Sequence, residues 1–545
     1  MRSLCLFFLL FLVCAVSGFG QEYQFIVFFT DKAGSPYTVD EPGEFLSQRA
    51  IARRNAQNIP IIEEDLPVNS EYVCGIQALG VSTRFTTKWL NGVLVKADSA
   101  SLQTVLALDY VDSASYAAPL GDVNAFQEGA VISTRLRKQR KYKGVASEEL
   151  TALQNQMIGI DYLHGEGHKG LGKWVAVFDA GFPGANQISF FQHIFNDSRL
   201  IASRDFIGGT DNVYQYNSHG TQVWSAIGAF EEGRFTGTAP EASFVLCVTE
   251  NDISEYRLEE YNWLFAAEFA DSLGVDVVNS SLGYYDFDDP AMNYSYDDMY
   301  QNISVSSRAA KILASKGVAV VNSAGNEGRS FWKYLGFPAD TPEILTIGSV
   351  TRDSLYSSFS SLGYETDGAP VKPDLAAMGS STVLVNPSGS IFNSSGTSYS
   401  APLVSGMVAS LWGAFPEYSA QELIQEVRST GSQYSNPDNR LGYGIPDSRR
   451  LFGVLSGRPR AEGLSVFPNP VQGRLLKIRW NDVNRKGMWF LRIYDFSGNR
   501  VYVEKGEKKS GENEAALKLP ELAAGKYLVR IQTEEKSRVF KIILQ

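Results

Sequence analysis

The sequence predicts an α/β protein whose main unit is a mostly parallel β-sheet flanked by helices, with a small α+β unit before it and a β-sandwich after it. The chain has 545 residues, which is enough for three or four domains of roughly 100–200 residues each. From about residue 150 to 457, short apolar runs alternate with helical patterns, whereas residues 464–545 carry strand-like runs between Gly and Pro. Hydrophobic residues make up 44% and charged residues 20% of the chain, which excludes wholesale disorder and a multi-spanning membrane protein.

The first 20 residues have the pattern of a secretory signal peptide. Arg2 precedes an apolar run at 4–16, and the small residues Ser17, Gly18 and Gly20 follow. This run is too short to span a bilayer comfortably, since about 20 residues are needed. We therefore expect a signal peptide at 1–20 that is removed near Gly20, and the alternative is a short membrane anchor.

Cleavage at that point would remove two of the four cysteines. The two that remain, Cys74 and Cys247, fall in different predicted domains. We expect no disulfide framework, so an exported protein of this kind must depend on the size of its core.

Residues 21–120 are predicted to form a compact α+β domain. The predicted strands are 23–30, 81–87, 92–96 and 110–118, and the predicted helices are 41–58, 69–79 and 98–106. A linker at 121–148 follows, and its basic cluster comprises Arg135, Arg137, Lys138, Arg140, Lys141 and Lys143. Such a run is either a solvated linker or an exposed processing site, and the two interpretations are compatible.

Residues 149–457 form the predicted α/β domain. The short β-rich runs are 174–178, 243–249, 275–279, 318–322 and 344–350, with helices between them at 220–229, 254–272 and 304–316. Short buried strands that alternate with helices indicate a parallel sheet covered on both faces. In such sheets ligands bind beyond the carboxyl ends of the strands, so we expect the active site there.

Residues 464–545 form a predicted antiparallel β-sandwich with its own charge. Six strand-like segments lie at 475–480, 489–494, 499–504, 515–519, 527–533 and 538–544. From residue 456 to the end there are 18 Lys and Arg against 10 Asp and Glu, a net charge of +8, whereas residues 1–455 carry −19. An acidic body argues against nucleic acid as the main partner, because binding phosphates needs clustered Lys and Arg.

Four loop segments of the α/β domain carry side chains suited to acyl transfer. Asp179 ends a buried strand in VAVFDAG, His219 opens a small-residue helix in HGTQV, Asn326 lies in a Gly-flanked turn, and Ser398 precedes a helix in GTSYSAP. Each alone has a plain structural interpretation as a helix cap, a turn residue or a structural histidine. In the order Asp, His, Asn, Ser they form a highly specific combination.

In these frames the chain resembles the subtilisin-like serine proteases, which keep the catalytic order Asp, His, Ser. Supporting frames match as well: GTAP at 237–240, VNSSLG at 278–283, FSSLG at 359–363 and KPDLA at 372–376. The resemblance implies that Ser398 is the nucleophile, that His219 is the general base and that Asp179 orients His219. It also implies that Asn326 donates to the oxyanion together with the backbone N–H of Ser398.

The resemblance further implies that Ser281, Leu282 and Gly283 pair with an extended peptide substrate, with Gly283 leaving room for a side chain. Some positions depart from the family pattern: Ala180 replaces a hydroxyl residue, Gln222 replaces a common histidine, and Ser400 and Ala401 vary a small pair. None of these touches the four catalytic roles, so we expect activity.

An acidic and aromatic insertion at 284–300 follows the predicted substrate strand. It carries Asp286, Asp288, Asp289, Asp297 and Asp298. Carboxylates suit Ca²⁺, so a structural calcium ion could bind here, but the alternative is a solvated rim. The chemistry itself requires no cofactor.

The flanking domains resemble known modules. By its position and strand–helix order, 21–120 is similar to a subtilisin propeptide, which assists folding and inhibits its own enzyme; the alternative is a retained accessory domain. Residues 464–545, with VFPNP at 466–470 and LAAGKYLV at 522–529, resemble the C-terminal sorting domain of type IX secretion cargo. The alternative there is a generic binding module.

Together these features predict a secreted or cell-surface serine endopeptidase, made as a self-inhibited preproprotein and exported through the periplasm. Its predicted partners are extended polypeptides, its own propeptide and the type IX secretion machinery, and not nucleic acid. Two alternatives are a catalytically inactive binding protein with the same fold and a processing enzyme with a single substrate.

Overall fold

The computed structural model describes residues 21–120, 150–457, 464–467, 471, 473–480, 487–495, 498–508, 514–533 and 537–544. The predicted signal peptide at 1–20 and the basic cluster of the linker lie outside these residues. Among the helices in the described parts of the chain, none has both the length and the apolar character needed to cross a bilayer.

The N-terminal unit is a four-stranded antiparallel sheet with helices packed on it. Its elements are β1 (Tyr23–Phe29), α1 (Gln48–Ala56), α2 (Ser70–Ala78), β2 (Ser82–Thr87), β3 (Gly92–Ala97), α3 (Ser99–Leu106) and β4 (Val111–Pro119). The strand order is β2-β3-β1-β4, so the first strand lies in the interior of the sheet. Strand β3 is buried along most of its length, as its run of Val and Leu requires.

The middle unit confirms the predicted α/β class. Its strands are β5 (Trp174–Asp179), β6 (Leu200–Asp205), β7 (Phe230–Glu231), β8 (Phe235–Thr236), β9 (Ser243–Val248), β10 (Val277–Ser280), β11 (Ala319–Ser323), β12 (Leu345–Val350), β13 (Leu375–Met378), β14 (Thr382–Val385) and β15 (Ile391–Ser394). Seven of these form one parallel sheet in the order β13-β12-β11-β10-β5-β9-β6. Strands β5 and β10 are adjacent at its centre, so the loops after them meet.

Helices cover both faces of this sheet. They are α4 (Ala152–Met157), α5 (Ile160–Gly165), α6 (Ser189–Asn196), α7 (His219–Gly228), α8 (Leu258–Leu273), α9 (Val305–Ser315), α10 (Thr397–Ala414), α11 (Ala420–Ser429) and α12 (Ser448–Gly457). One hydrophobic cluster joins one face of the sheet to α7 and α10, and a second joins the other face to α8 and α9.

Two helices begin later than the sequence predicts. The predicted helix 41–58 is a short 3-10 turn followed by α1, because the Ser47 side chain accepts the Ala50 N–H (3.0 Å) and starts the helix there. The predicted helix 254–272 begins only at Leu258. It ends at Gly274, whose φ of +91° is the left-handed conformation that closes many helices.

The C-terminal unit has two antiparallel sheets. Its strands are β16 (Leu464–Phe467), β17 (Leu475–Trp480), β18 (Gly487–Tyr494), β19 (Arg500–Lys508), β20 (Glu514–Lys518), β21 (Gly525–Thr533) and β22 (Ser537–Leu544). The sheet orders are β16-β17-β20 and β19-β18-β21-β22. Alternating residues of β18 and β21 are buried in one core, as in a sandwich.

The N-terminal unit packs on helix α8 of the middle unit. Ile26, Trp89 and Leu94 join the same buried cluster as Phe178 and Trp263, and many other residues of the middle unit complete it. Polar groups at the C-terminal end of α8 also contact the N-terminal unit. The two units therefore share a continuous core and a buried polar contact.

Candidate active site

Asp179 and His219 are in direct contact at the centre of the sheet. Asp179 is the last residue of β5 and is completely buried. His219 is the first residue of α7, where its backbone N–H donates to the Asn217 side chain (2.9 Å). The His219 Nδ1 atom lies 2.8 Å from Asp179 Oδ1. Because a carboxylate only accepts, Nδ1 carries the proton and Nε2 is left as an acceptor.

The surroundings make His219 a stronger base. Burial alone would lower the pKa of His219, but the charge of Asp179 and its hydrogen bond outweigh that effect and raise it. Asp179 Oδ1 also accepts the Ala180 N–H (2.8 Å), whereas Oδ2 is buried and has no hydrogen-bond partner among the described residues. Ala180 has no hydroxyl to offer, which agrees with its noted departure from the family pattern.

Ser398 is held at the start of α10 by an arrangement that depends on Pro402. Pro402 lies inside α10 and has no N–H, so it cannot donate to the carbonyl of Ser398 four residues earlier. The Ser281 hydroxyl donates to that carbonyl instead, at 2.9 Å. In return, the Ser398 hydroxyl donates to the Ser281 carbonyl at 3.4 Å. The hydroxyl is thus turned toward the segment that follows β10 rather than toward His219.

The residue after Ser398 lies beside the histidine. The Tyr399 ring is 5.7 Å from the His219 ring, measured between centroids. Its hydroxyl donates to the Gln222 side chain at 2.8 Å. Sequence reasoning treated Gln222 only as a departure from the family. Its place on the same helix face as His219, three residues later, was the available signal for this contact.

Asn326 is fixed by one end of its amide and leaves the other end available. Its Oδ1 accepts the N–H (2.9 Å) and hydroxyl (3.2 Å) of Thr397. The Thr397 hydroxyl in turn accepts the Gly325 N–H (3.1 Å). The Asn326 Nδ2 atom has no hydrogen-bond acceptor within the described residues and lies 3.7 Å from where a Cβ on Gly396 would be. Sequence reasoning missed Thr397, although it directly precedes Ser398.

The segment 281–283 is open on one side. A Cβ atom on Gly283 would meet nothing within 4 Å. The neighbouring Leu282 carbonyl accepts the Asn322 side chain (3.0 Å), and Tyr284 pairs with Phe337 through two backbone hydrogen bonds of 2.9 Å. In the described part of the chain, the backbone of Gly283 forms no such bond. An extended peptide can therefore pair there.

Three of the five aspartates of the insertion 284–300 accept hydrogen bonds within the insertion. Asp286 accepts the Asn293 side chain (2.6 Å), Asp289 accepts the Ala291 N–H (3.0 Å) and Asp298 caps a short turn. Within the described residues, none of the five belongs to a group of three acidic side chains close enough to share an ion. These contacts favour the alternative of a solvated rim, and calcium binding in this insertion stays a prediction.

Family models match three parts of the chain. The subtilase family model matches residues 170–444, half of the chain. The model of the peptidase S8 propeptide domain of Bacteroidota matches residues 24–130. The model of the secretion system C-terminal sorting domain matches residues 465–545.

Among curated proteins, the chain is 28% identical over 283 residues to subtilisin NAT of Bacillus subtilis subsp. natto, which covers 50% of this chain and 64% of that protein. It therefore spans less than two thirds of that relative. It is 25% identical over 278 residues to subtilisin DY of Bacillus licheniformis, with 51% and 89% covered.

Among solved structures, the epidermin leader peptide processing serine protease of Staphylococcus aureus is similar in fold. The TM-score is 0.53 at 17% identity, and the match covers 80% of this chain and 98% of that one. The half-chain match and the contact between the buried Asp179 and His219 lead to the same conclusion: this chain belongs to the subtilase family.

Proposed function

We propose that this protein is an exported serine endopeptidase that hydrolyses peptide bonds through an acyl-enzyme on Ser398. His219 is the general base, Asp179 orients it, and Asn326 with the Ser398 N–H forms the oxyanion hole. The single observation that carries the proposal is the 2.8 Å contact between a buried Asp179 and His219. It leaves His219 Nε2 as a proton acceptor.

The reaction begins when Ser398 turns its hydroxyl from the Ser281 carbonyl to Nε2 of His219. Ser398 Oγ attacks the substrate carbonyl while Nε2 takes its proton, and the negative charge of Asp179 stabilises the imidazolium. The free Nδ2 of Asn326 donates to the oxyanion. His219 then gives the proton to the leaving amine, and water hydrolyses the acyl-enzyme by the same steps. No cofactor takes part in these bond changes.

The substrate is an extended polypeptide segment that pairs with Ser281, Leu282 and Gly283. Backbone pairing accepts many sequences, and the space above Gly283 admits one substrate side chain. We infer a preference for unfolded or flexible protein, which offers such segments.

The flanking units control when and where this activity appears. The domain at 21–120 is an intramolecular inhibitor, removed by a cut in the linker 121–148, and its match to a propeptide domain supports this. The unit at 464–545 delivers the protein through type IX secretion to the medium or the cell surface, in keeping with its match to a sorting domain.

A fluorophosphonate probe tests the proposal, because it labels only an activated serine. We expect the mature protein to be labelled, the Ser398→Ala variant to lose all labelling, and the Ser405→Ala variant to keep it. Ser405 is a matched control, since it is a buried serine of the same helix that bonds to Asn279 (2.8 Å). An unlabelled mature protein would instead identify an inactive binding protein, and cleavage of casein would exclude a single-substrate processing enzyme.

A further inference from the structure

Three glutamates lie together where β9 ends and α8 begins. Glu250 follows β9, Glu255 lies in the connecting segment, and Glu259 is the second residue of α8. One carboxylate oxygen from each lies within 4.8 Å of the others. The spacing of these residues carries no motif, so the fold alone reveals the cluster.

The deepest of the three carboxylates has a buried oxygen without a partner. Glu259 is 3% exposed, and its Oε1 accepts the Asn251 N–H at 2.9 Å. Its Oε2 is buried and has no hydrogen-bond partner in the described residues. Asn262, one turn along α8, also has a buried and unpartnered Oδ1. Buried oxygens of this kind are costly unless a ligand satisfies them.

No lysine or arginine of the described residues forms an ion pair with these three glutamates. Arg257 is closest in sequence, but it donates to the Met292 carbonyl (3.1 Å) and packs over the Tyr294 ring. The site is therefore electrostatically suited to a cation that the chain does not supply.

A cavity of about 530 Å³ lies beside the cluster, between α8 and the propeptide sheet. Both Glu259 and Asn262 line it. Two cations on its wall are engaged elsewhere: Arg84 donates to the Ile207 carbonyl (2.6 Å) and Lys96 pairs with Glu22 (2.9 Å). The cavity gives an ion and its water ligands a route to the cluster.

We propose that Glu250, Glu255 and Glu259 bind a calcium ion. Ca²⁺ takes six to eight oxygen ligands at about 2.3–2.6 Å, so two ligands of one ion lie up to roughly 5 Å apart. The three carboxylate oxygens lie within 4.8 Å of one another, so one calcium ion can reach all of them.

The ion would also fix the rim of the substrate strand. The Tyr284 hydroxyl donates to Glu250, and Tyr284 directly follows Gly283. Calcium would thus join the β9–α8 segment to the strand that we propose binds substrate. The binding site itself does not depend on the proposed catalytic roles.

Terbium luminescence tests the site, because Tb³⁺ replaces Ca²⁺ and is sensitised by a nearby tyrosine such as Tyr284. The full-length Ser398→Ala chain prevents self-cleavage, so a failure of the proposed catalysis cannot affect the result. We expect Tb³⁺ to bind and Ca²⁺ to displace it. Glu259→Gln should weaken Tb³⁺ binding by at least tenfold, and Glu255→Gln, at a less buried position, should do the same.

Asp286→Asn is the matched control, because it removes one negative charge from the neighbouring acidic insertion. We expect its Tb³⁺ affinity to equal that of the parent chain. Three results would overturn the proposal: no sensitised binding in the parent, unchanged affinity in both glutamate variants, or a loss confined to Asp286→Asn. The first would mean that the carboxylates share protons instead of a cation.

Discussion

The two ends of helix α8 carry buried carboxylates in opposite electrostatic surroundings. At the C-terminal end, Asp271 accepts from Arg54 (2.8 Å) and Arg53, and Lys88 lies 3.5 Å away. Burial would raise the pKa of Asp271, but these three cations lower it. At the N-terminal end, Glu259 has no such partner in the described residues, and burial raises its pKa.

The difference shows which part of the molecule supplies the cation that pairs with each buried carboxylate. All three cations that face Asp271 belong to the propeptide domain, so this end of α8 is compensated only while that domain is bound. When the propeptide leaves, Asp271 and Glu268 would face water, which solvates them well. At the other end, no lysine or arginine of the described residues pairs with Glu250, Glu255 or Glu259. The C-terminal end of α8 is therefore part of the interface with the propeptide domain, and the N-terminal end is the proposed cation site.

Removal of Arg54, whose side chain pairs with Asp271 at the C-terminal end of α8, should lower the stability of the protein by the largest amount. Arg54 is completely buried and bonds both oxygens of Asp65 (3.1 Å each) as well as Asp271. Arg54→Ala leaves two buried carboxylates short of their partner, which typically costs about 3–5 kcal/mol. We expect that loss in the free energy of unfolding of the full-length Ser398→Ala chain, measured by denaturant titration.

The matched control for this prediction is Arg449→Ala. Arg449 also pairs with an aspartate, Asp161, at 3.1 Å, but its side chain is 56% exposed. Exposed pairs contribute about 0–1 kcal/mol. An equal loss in the two variants would show that the contact with α8 is not the dominant ion pair of the interface.

Low pH should weaken the ion pairs around Arg54, beside the C-terminal end of α8. Burial would raise the pKa of Asp65, but the hydrogen bonds and charge of Arg54 hold it at about 2. Because the folded pKa is depressed, the stabilisation is complete above the unfolded value near 4 and is lost as the pH falls toward 2. One pKa unit corresponds to about 1.4 kcal/mol, so the loss is about 2 kcal/mol. Unfolding of the Ser398→Ala chain between pH 2 and 5 measures it, and Asp65→Asn should flatten that slope; equal slopes would contradict the prediction.

The sequence predicted the fold and indicated the candidate site because both depend on local patterns. The apolar run at 174–179 is a buried parallel strand, and the frames around His219 and Ser398 are short and specific. The bond between Asp179 and His219 follows, since adjacent strand ends and loops meet at one edge of the sheet.

The contacts at α8 could not be predicted in the same way. Arg53 and Asp271 are 218 residues apart in the chain, and no local pattern indicates that they meet. The aspartates of the acidic insertion are close in sequence, yet Asp289 and Asp298 cap local turns and Asp286 accepts from Asn293. The glutamate cluster has wider spacing and becomes visible only when β9 and α8 come together.

The smallest expected effect is at Glu268, which joins α8 to the propeptide by hydrogen bonds. Its carboxylate accepts from the Thr87 hydroxyl (2.6 Å) and from the N–H groups of Lys88 (2.9 Å) and Trp89 (3.1 Å). In Glu268→Gln the amide nitrogen cannot accept, so one charge-assisted bond of about 1.5 kcal/mol is lost. We expect the cleaved propeptide to bind the catalytic domain about tenfold more weakly, measured by titrating it against peptidase activity.

Glu260→Gln is the matched control, because Glu260 is buried in the same helix but bonds Tyr294 (2.7 Å) and Ser306 (2.9 Å) of the catalytic domain. This variant should lose stability within the catalytic domain and leave the affinity for the propeptide unchanged. If Glu268→Gln also left that affinity unchanged, the hydrogen bonds at the C-terminal end of α8 would not hold the inhibitor. The ion pairs that Arg53, Arg54 and Lys88 form with Asp271 would then carry the polar part of the contact, and the two ends of α8 would differ only in whether a cation pairs with the buried carboxylate.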